Sequence, residues 1–291
     1  MMAMRLRTAA ALLGLVVCSA CVPPPHAMGR LRVMATTSTL ASLGTGAGGK
    51  WAAVKSLVPI GISPEDYQPT PGDIGSLHDA NVLIENGVNL ESWLDQTVAN
   101  SGNPNLKIVT ASAGLPVINM NPHLWMDPEY ARSYVTKMRD AFIAADPAHA
   151  DDYRASAAAY DAKLVALTAR TRAKIATIPP SHRTLIVFHD AFDYYARRFG
   201  LRIVGAIEPI AGAEPNPAHI AELIRQARAQ HVRAVFAEHE YSDTLAKSLA
   251  SSAGNLKVAF LYDDSLGIAL GVQDYIGMID TDTDTIVAAL K

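Results

Sequence analysis

The chain has only two cysteines, Cys18 and Cys21, and both lie close to the N-terminus. Once that end is processed, no internal disulfide is possible. The chain also has no run of basic residues: 25 Lys and Arg stand against 28 Asp and Glu, a formal charge of -3. The electrostatic footprint of a nucleic-acid binder is therefore missing. No H-E-x-x-H pair marks a metalloprotease helix. No unit of 20 to 50 residues repeats. The apolar run from Ala9 to Val17 is too short to remain as a membrane span.

That run is preceded by Arg5 and Arg7 and followed by small residues, so residues 1–21 are expected to be a signal segment. Ser19-Ala20-Cys21 resembles a bacterial lipoprotein cleavage site, which implies a lipid on Cys21 as the only membrane anchor. Cys18 stands where such sites usually carry leucine, so plain secretory cleavage stays open. Val22-Pro23-Pro24-Pro25 opens a stiff tether over 22–29. Either route takes the protein out of the cytoplasm. With 49% hydrophobic residues in 291, the remainder can bury a large core and is expected to divide into two domains.

Strand-like and helical patterns alternate from Arg30 onward. Strands are expected at Arg30 to Ala35, Ala52 to Val58, Val82 to Ile84 and Leu106 to Val109, with a helix at Leu90 to Ala99. Prolines and a glycine shape Pro59 to Pro69 into a loop, which ends at the helix-start signal Thr70-Pro71-Gly72-Asp73. Beyond Pro128 the pattern is helical, interrupted near Asp146-Pro147. From Ala148 to about Thr177 there is no glycine or proline, and Tyr153, Ala157, Tyr160, Leu164, Leu167 and Ile175 recur at helical spacing. A helix of that length spans roughly 45 Å, more than one small domain needs. An α/β pattern resumes after Pro179-Pro180, with strands at Thr184 to Phe188, Arg202 to Val204, Ala234 to Phe236 and Val258 to Leu261, and a helix opened by Asn216-Pro217. The expected fold is α/β: two lobes of parallel sheet flanked by helices, 30–147 and 178–291, joined by one long rigid linking helix, 148–177.

Open parallel sheets bind ligands beyond the carboxyl ends of their strands. Four residues of ligand type fall at such ends: Glu65 and His123 in the first lobe, His189 and Asp264 in the second. Two imidazoles and two carboxylates suit zinc or manganese. Each has an ordinary reading as well. Glu65 can be a solvated loop acid with Asp66 in its place, His189 can bond a carbonyl, and Asp264 can cap the last helix. His189 is expected at a helix N-terminus, where the dipole disfavours imidazolium and favours the ligating form. The remaining histidines show no ligand spacing; His239, between Glu238 and Glu240, is the one to check.

Leu57-Val58-Pro59 through Tyr67-Gln68-Pro69-Thr70-Pro71, then Pro122-His123-Leu124-Trp125-Met126-Asp127-Pro128, His189-Asp190-Ala191-Phe192 and Asp264-Ser265-Leu266 together resemble the four ligand motifs of the zinc- and manganese-binding solute-binding proteins of bacterial ABC importers. The resemblance covers nearly everything from Arg30 to Lys291. It implies a metal ion held in the cleft between the lobes as transported cargo. The carrier would be a periplasmic, non-catalytic monomer whose partners are a membrane permease and its ATPase. In that family the third motif often has histidine in zinc binders and glutamate in manganese binders, so His189 leans toward zinc. One departure is Ser63-Pro64-Glu65-Asp66-Tyr67, where the family pattern D-P-H-x-Y has histidine. The resulting donor set is manganese-like. No histidine lies between Asn86 and Asn119, so the histidine-rich loop of some zinc members is absent. Alternatives are a secreted zinc-dependent hydrolase using Glu65 as general base, and a metal-stabilised surface adhesin.

Overall fold

The computed structural model describes residues 29–209 and 216–291. The expected signal segment, Cys21, His26 and nearly all of the tether lie outside them.

The first lobe is built on β1 (Leu31–Ala35), β2 (Ala52–Ser56), β3 (Val82–Glu85) and β4 (Lys107–Thr110). These pair in parallel in the order β2-β1-β3-β4. The second lobe repeats the plan with β5 (Thr184–His189), β6 (Arg202–Glu208), β7 (Ala234–Glu238) and β8 (Lys257–Leu261), in the order β6-β5-β7-β8. In each sheet the chain starts on an inner strand, builds to one side, then crosses to the other. The reversal leaves a crevice beyond the strand ends, the usual place for a ligand in such sheets. All residues of β5 and β7 are buried, as strands covered on both faces require.

Helices α1 (Ser38–Gly48), α2 (Pro71–Asp79) and α3 (Leu94–Ser101) belong to the first lobe. The start of α2 is the expected capping box: Thr70 accepts from the Asp73 amide while Asp73 accepts from the Thr70 amide. The helix expected from Leu90 begins four residues late. Val88 and Asn89 have positive φ, and the buried Glu91 carboxylate turns back to accept from the Asn86 and Gly87 amides at 2.7 and 3.1 Å. Those residues are spent closing a turn around an acid.

α4 (Pro128–Ala145) and α5 (Ala150–Ala176) are separated by a short turn at Pro147–His149. With 27 residues, α5 is about 40 Å long at 1.5 Å per residue. It packs on α1 and α4 of the first lobe, on α6 (Asp193–Phe199), and on the last helix, α9 (Tyr275–Leu290). Arg170 of α5 grips Asp280 of α9 through Nε and Nη2 at 2.6 to 3.0 Å. The remaining helices, α7 (Pro217–Ala229) and α8 (Thr244–Gly254), cover the outer face of the second sheet. The inner faces of both sheets share one continuous core that takes in Leu124, Trp125, Leu164, Leu167 and Tyr275. The linking helix is thus part of the core of both lobes.

Leu164 and Leu167 are fully buried on α5. Truncating Leu164 to alanine leaves a cavity between the lobes and should cost about 2–5 kcal/mol. Urea unfolding of the two proteins checks this, and a loss of less than about 1 kcal/mol would show that α5 is an external strut.

Candidate metal centre

His189 is the last residue of β5, and Glu238 is the last of β7, its neighbour in the sheet. The two meet: His189 Nδ1 lies 2.5 Å from Glu238 Oε2, and the His189 amide donates to Glu238 Oε1 at 3.3 Å. Asp263 Oδ2 stands 3.4 Å from the same Nδ1. With its Nδ1 proton directed at these carboxylates, the ring turns Nε2 toward the seam between the lobes.

His123 follows β4 at the end of a shaped loop. Asn119 and Met120 take left-handed backbone angles, φ 49° and 59°, which swing the chain back over the seam. Asn121 Oδ1 then accepts from both the amide and Nδ1 of His123, each at 2.9 Å. This fixes the ring with Nε2 outward. Beyond it come a single turn, Leu124–Met126, and Asp127, whose carboxylate accepts from the Glu129 amide and caps α4 ahead of Pro128.

The two Nε2 atoms face one another at 3.1 Å. Asp264 Oδ1 lies 3.3 Å from His123 Nε2 and has no hydrogen-bond partner. Its other oxygen accepts from Ser63 Oγ at 3.0 Å. All three side chains are buried. Glu65 completes the group at 3.9 Å from His123 Nε2, with its side chain about 25% exposed. Its loop is held to the second lobe by Ser63 on Asp264 and by the Gly61 amide on Ser265 Oγ at 2.7 Å. The neighbouring Asp66 is exposed. The four residues read from the sequence therefore converge. A cavity of about 210 Å³, lined by Glu65, Met120, Asn121, His123 and His189 among others, adjoins them.

Donor atoms bound to one zinc at about 2.0–2.1 Å in a tetrahedron stand roughly 3.3 Å apart. The Nε2 to Nε2 and Nε2 to Oδ1 separations are close to that edge. A second group of ligand type, His189 with Glu238 and Asp263, is different. At 2.5 Å, Nδ1 and Oε2 are too close to be two ligands of a common ion, and the contact is a hydrogen bond. Carboxylates in this position orient a ligating imidazole and raise its basicity.

The sequence placed His189 at a helix N-terminus, and the structure corrects this. Asp190, Ala191 and Phe192 form a turn between it and the seven-residue α6. The controlling charges come from β7 and the start of the loop after β8. Burial alone would lower the affinity of His189 for a proton, but Glu238 and Asp263 outweigh it and hold its pKa well above the usual value. His123 goes the other way: burial outweighs Asp264 and lowers it. Burial pushes the Asp264 carboxyl up, yet His123, His189 and Ser63 more than offset this and leave it below the usual range. For Glu65, burial and then the charge of Asp264 raise the pKa to about 7. Asp264 does not cap the last helix; Asp274 does.

Glu238 and Asp263 were not singled out from the sequence. The available signal was a carboxylate at the end of a strand, next to the flagged His239. That histidine instead stacks on Tyr262, with ring centroids 4.0 Å apart. His78, His149 and His219 bond locally to Ser101, Asp146 and Ala206.

Residues 33–289 match the family model described as zinc-uptake complex component A, periplasmic. The chain belongs to this family. Among its relatives is the iron-binding protein YfeA of Yersinia pestis, 32% identical over 90% of this chain and 87% of that one. The manganese-binding lipoprotein MntA of Halalkalibacterium halodurans is 29% identical over 90% of this chain and 89% of its own. A manganese-bound periplasmic metal-binding protein from Candidatus Liberibacter asiaticus superposes with TM-score 0.83 at 25% identity, covering 90% of this chain and all of that one. Family membership makes this chain a periplasmic solute-binding component of an ABC importer for divalent metal ions. Its work is transport, which sets aside the hydrolase and the adhesin.

The raised pKa of His189 carries a sign. Its stabilising effect on the metal-free fold is complete below the unfolded value of 6.5 and is lost as pH rises through the higher folded value. In NMR titration of metal-free protein, the His189 ring should titrate above 6.5, and Glu238→Gln should bring its pKa down. A His189 ring titrating below 6.5 in the unmodified protein would contradict the pairing.

Proposed function

We propose that Glu65, His123, His189 and Asp264 hold one divalent transition-metal ion at the seam and that the protein hands it to its permease. One observation carries this reading. His189 Nε2 at 3.1 Å and the buried Asp264 Oδ1 at 3.3 Å, an oxygen without a hydrogen-bond partner, both face His123 Nε2. Such a group of lone pairs calls for a cation. Four protein donors can close the shell of zinc, whereas a catalytic zinc keeps a position for water.

Zinc is the favoured cargo, on two donor separations close to a tetrahedral edge, His123 to His189 and His123 to Asp264, and on histidine at the third motif. Manganese is the second reading. Glu65 supplies a second carboxylate where the family pattern has histidine, and relatives are named for manganese and iron. Intrinsic affinity favours zinc over manganese on most such donor sets, so availability in the periplasm also selects. In the same proposal, residues 1–21 direct export, a lipid on Cys21 and the tether 22–29 hold the chain at the membrane, and it works as a monomer. Its bodies are the lobes 30–147 and 178–291 and the linking helix 148–177.

Saturating zinc should raise the melting temperature of chelator-treated protein by roughly ten degrees, since a thousand-fold excess over Kd adds about 4 kcal/mol. His123→Ala and His189→Ala should each abolish most of that rise. Competitive titration of zinc and manganese against the unmodified protein and Glu65→His should show the variant shifted toward zinc. An unchanged melting temperature with either metal would defeat the carrier reading; an unchanged preference in Glu65→His would remove Glu65 from the ligand set.

A further inference from the structure

The segment from Asn121 to Asp127 belongs to the first lobe by sequence, yet much of its polar bonding reaches across the seam. Asn121 donates to the Asp190 carbonyl at 2.5 Å, and Tyr194 donates to the Asn121 carbonyl at 2.8 Å. Trp125 Nε1 donates to the Asp263 carbonyl at 2.9 Å, and Tyr275 donates to the Trp125 carbonyl at 2.6 Å. At the far end of the segment, Arg198 of α6 clamps Asp127, with Nε 2.8 Å from each carboxylate oxygen and Nη2 at 2.7 Å. The first lobe answers with Asn86 on the Pro122 carbonyl at 2.9 Å. His123 is thereby mounted largely on the lobe that also carries His189 and Asp264.

The clamp is the one charged contact in this set. The Asp127 side chain is only 5% exposed, and its Oδ1 also caps α4. A buried carboxylate deprived of its guanidinium partner must move toward water or take a proton. Either change disturbs the turn Leu124–Met126, which alone separates Asp127 from His123. The two-pronged geometry matters as well, since only a guanidinium meets both oxygens from a fixed plane.

We propose that Arg198 is a positioning residue for metal capture: by locking Asp127 across the seam, it sets where His123 Nε2 stands relative to His189 and Asp264. This rests on His123 being a metal ligand, as proposed above. It goes beyond that reading by assigning part of the ligand geometry to a residue that touches no metal.

A second clamp in the same fold serves as a control. Arg170 grips Asp280 with the same two-pronged geometry, but Asp280 is 28% exposed against 5% for Asp127, and the pair joins α5 to α9 rather than the two segments that carry His123 and His189. Arg198→Gln, Arg198→Lys and Arg170→Gln, made in the full chain, are to be compared by competitive zinc titration, zinc release rate and melting temperature of the metal-free form. Both glutamine variants should lose thermal stability, Arg198→Gln the more because Asp127 is the more buried carboxylate. Only Arg198→Gln should weaken zinc binding, by about ten- to a hundred-fold, the range seen when outer-shell partners are lost. Arg198→Lys, which keeps the charge without the fork, should fall between Arg198→Gln and the unmodified protein and stays informative if the glutamine variant does not fold. Zinc binding by the Arg198 variants equal to the unmodified protein overturns the proposal, and so does an equal loss in Arg170→Gln. Failure of the unmodified protein to take up zinc overturns the carrier reading first, and this inference with it.

Discussion

Two imidazole nitrogens facing each other at 3.1 Å, one of them 3.3 Å from a carboxylate oxygen, repel unless a proton or a metal ion lies among them. The rest of the structure maintains that arrangement against its own electrostatics. Asn121 and Glu238 fix the two rings from behind, Ser63 occupies the other oxygen of Asp264, and burial keeps water from screening the group. In the metal-free state a proton can take the ion's place: against burial, Glu238 and Asp263 hold the His189 pKa well above the usual value, while burial and then Asp264 raise that of Glu65 to about 7. Metal uptake is then an exchange of protons for an ion.

Topology brings the parts together. Each sheet reverses its direction of building beside its first strand, so strand ends and the loops after them open onto one crevice. The two crevices face each other because α5 is packed into the core of both lobes. A helix with so many buried contacts resists a wide hinge motion. Glu65 differs from its three companions: it sits on a loop of prolines and glycine, partly exposed, while the others are buried on short rigid supports. That contrast marks the Pro59 to Pro69 loop as the cheaper element to move when an ion enters or leaves.

Much of this was legible from residue order alone. Alternating strand and helix patterns, the glycine-free stretch that became α5, the capping box at Thr70 and the Asp127-Pro128 helix start all report local preferences that tertiary packing did not override. The four convergent residues were legible because each lies at or beyond the carboxyl end of a strand, and parallel sheets collect those ends on one side. What escaped was long-range. Glu238 was unremarkable until β7 paired with β5 and placed it behind His189. The turn around Glu91, which delayed α3, depends on a carboxylate folding back on its own amides, which periodicity does not encode. The position of His189 was misread by a few residues, and the electrostatic argument built on it reversed. Strand-to-helix junctions shift easily in sequence, whereas a dipole acts only over a single turn.

The central claim is that one ion sits among donors from both lobes. X-ray absorption on zinc-loaded protein tests it most directly. The account predicts about four nitrogen and oxygen donors at roughly 2.0–2.2 Å, with the multiple-scattering signature of two imidazoles. A six-coordinate, water-rich shell, or a spectrum with one imidazole or none, would contradict it.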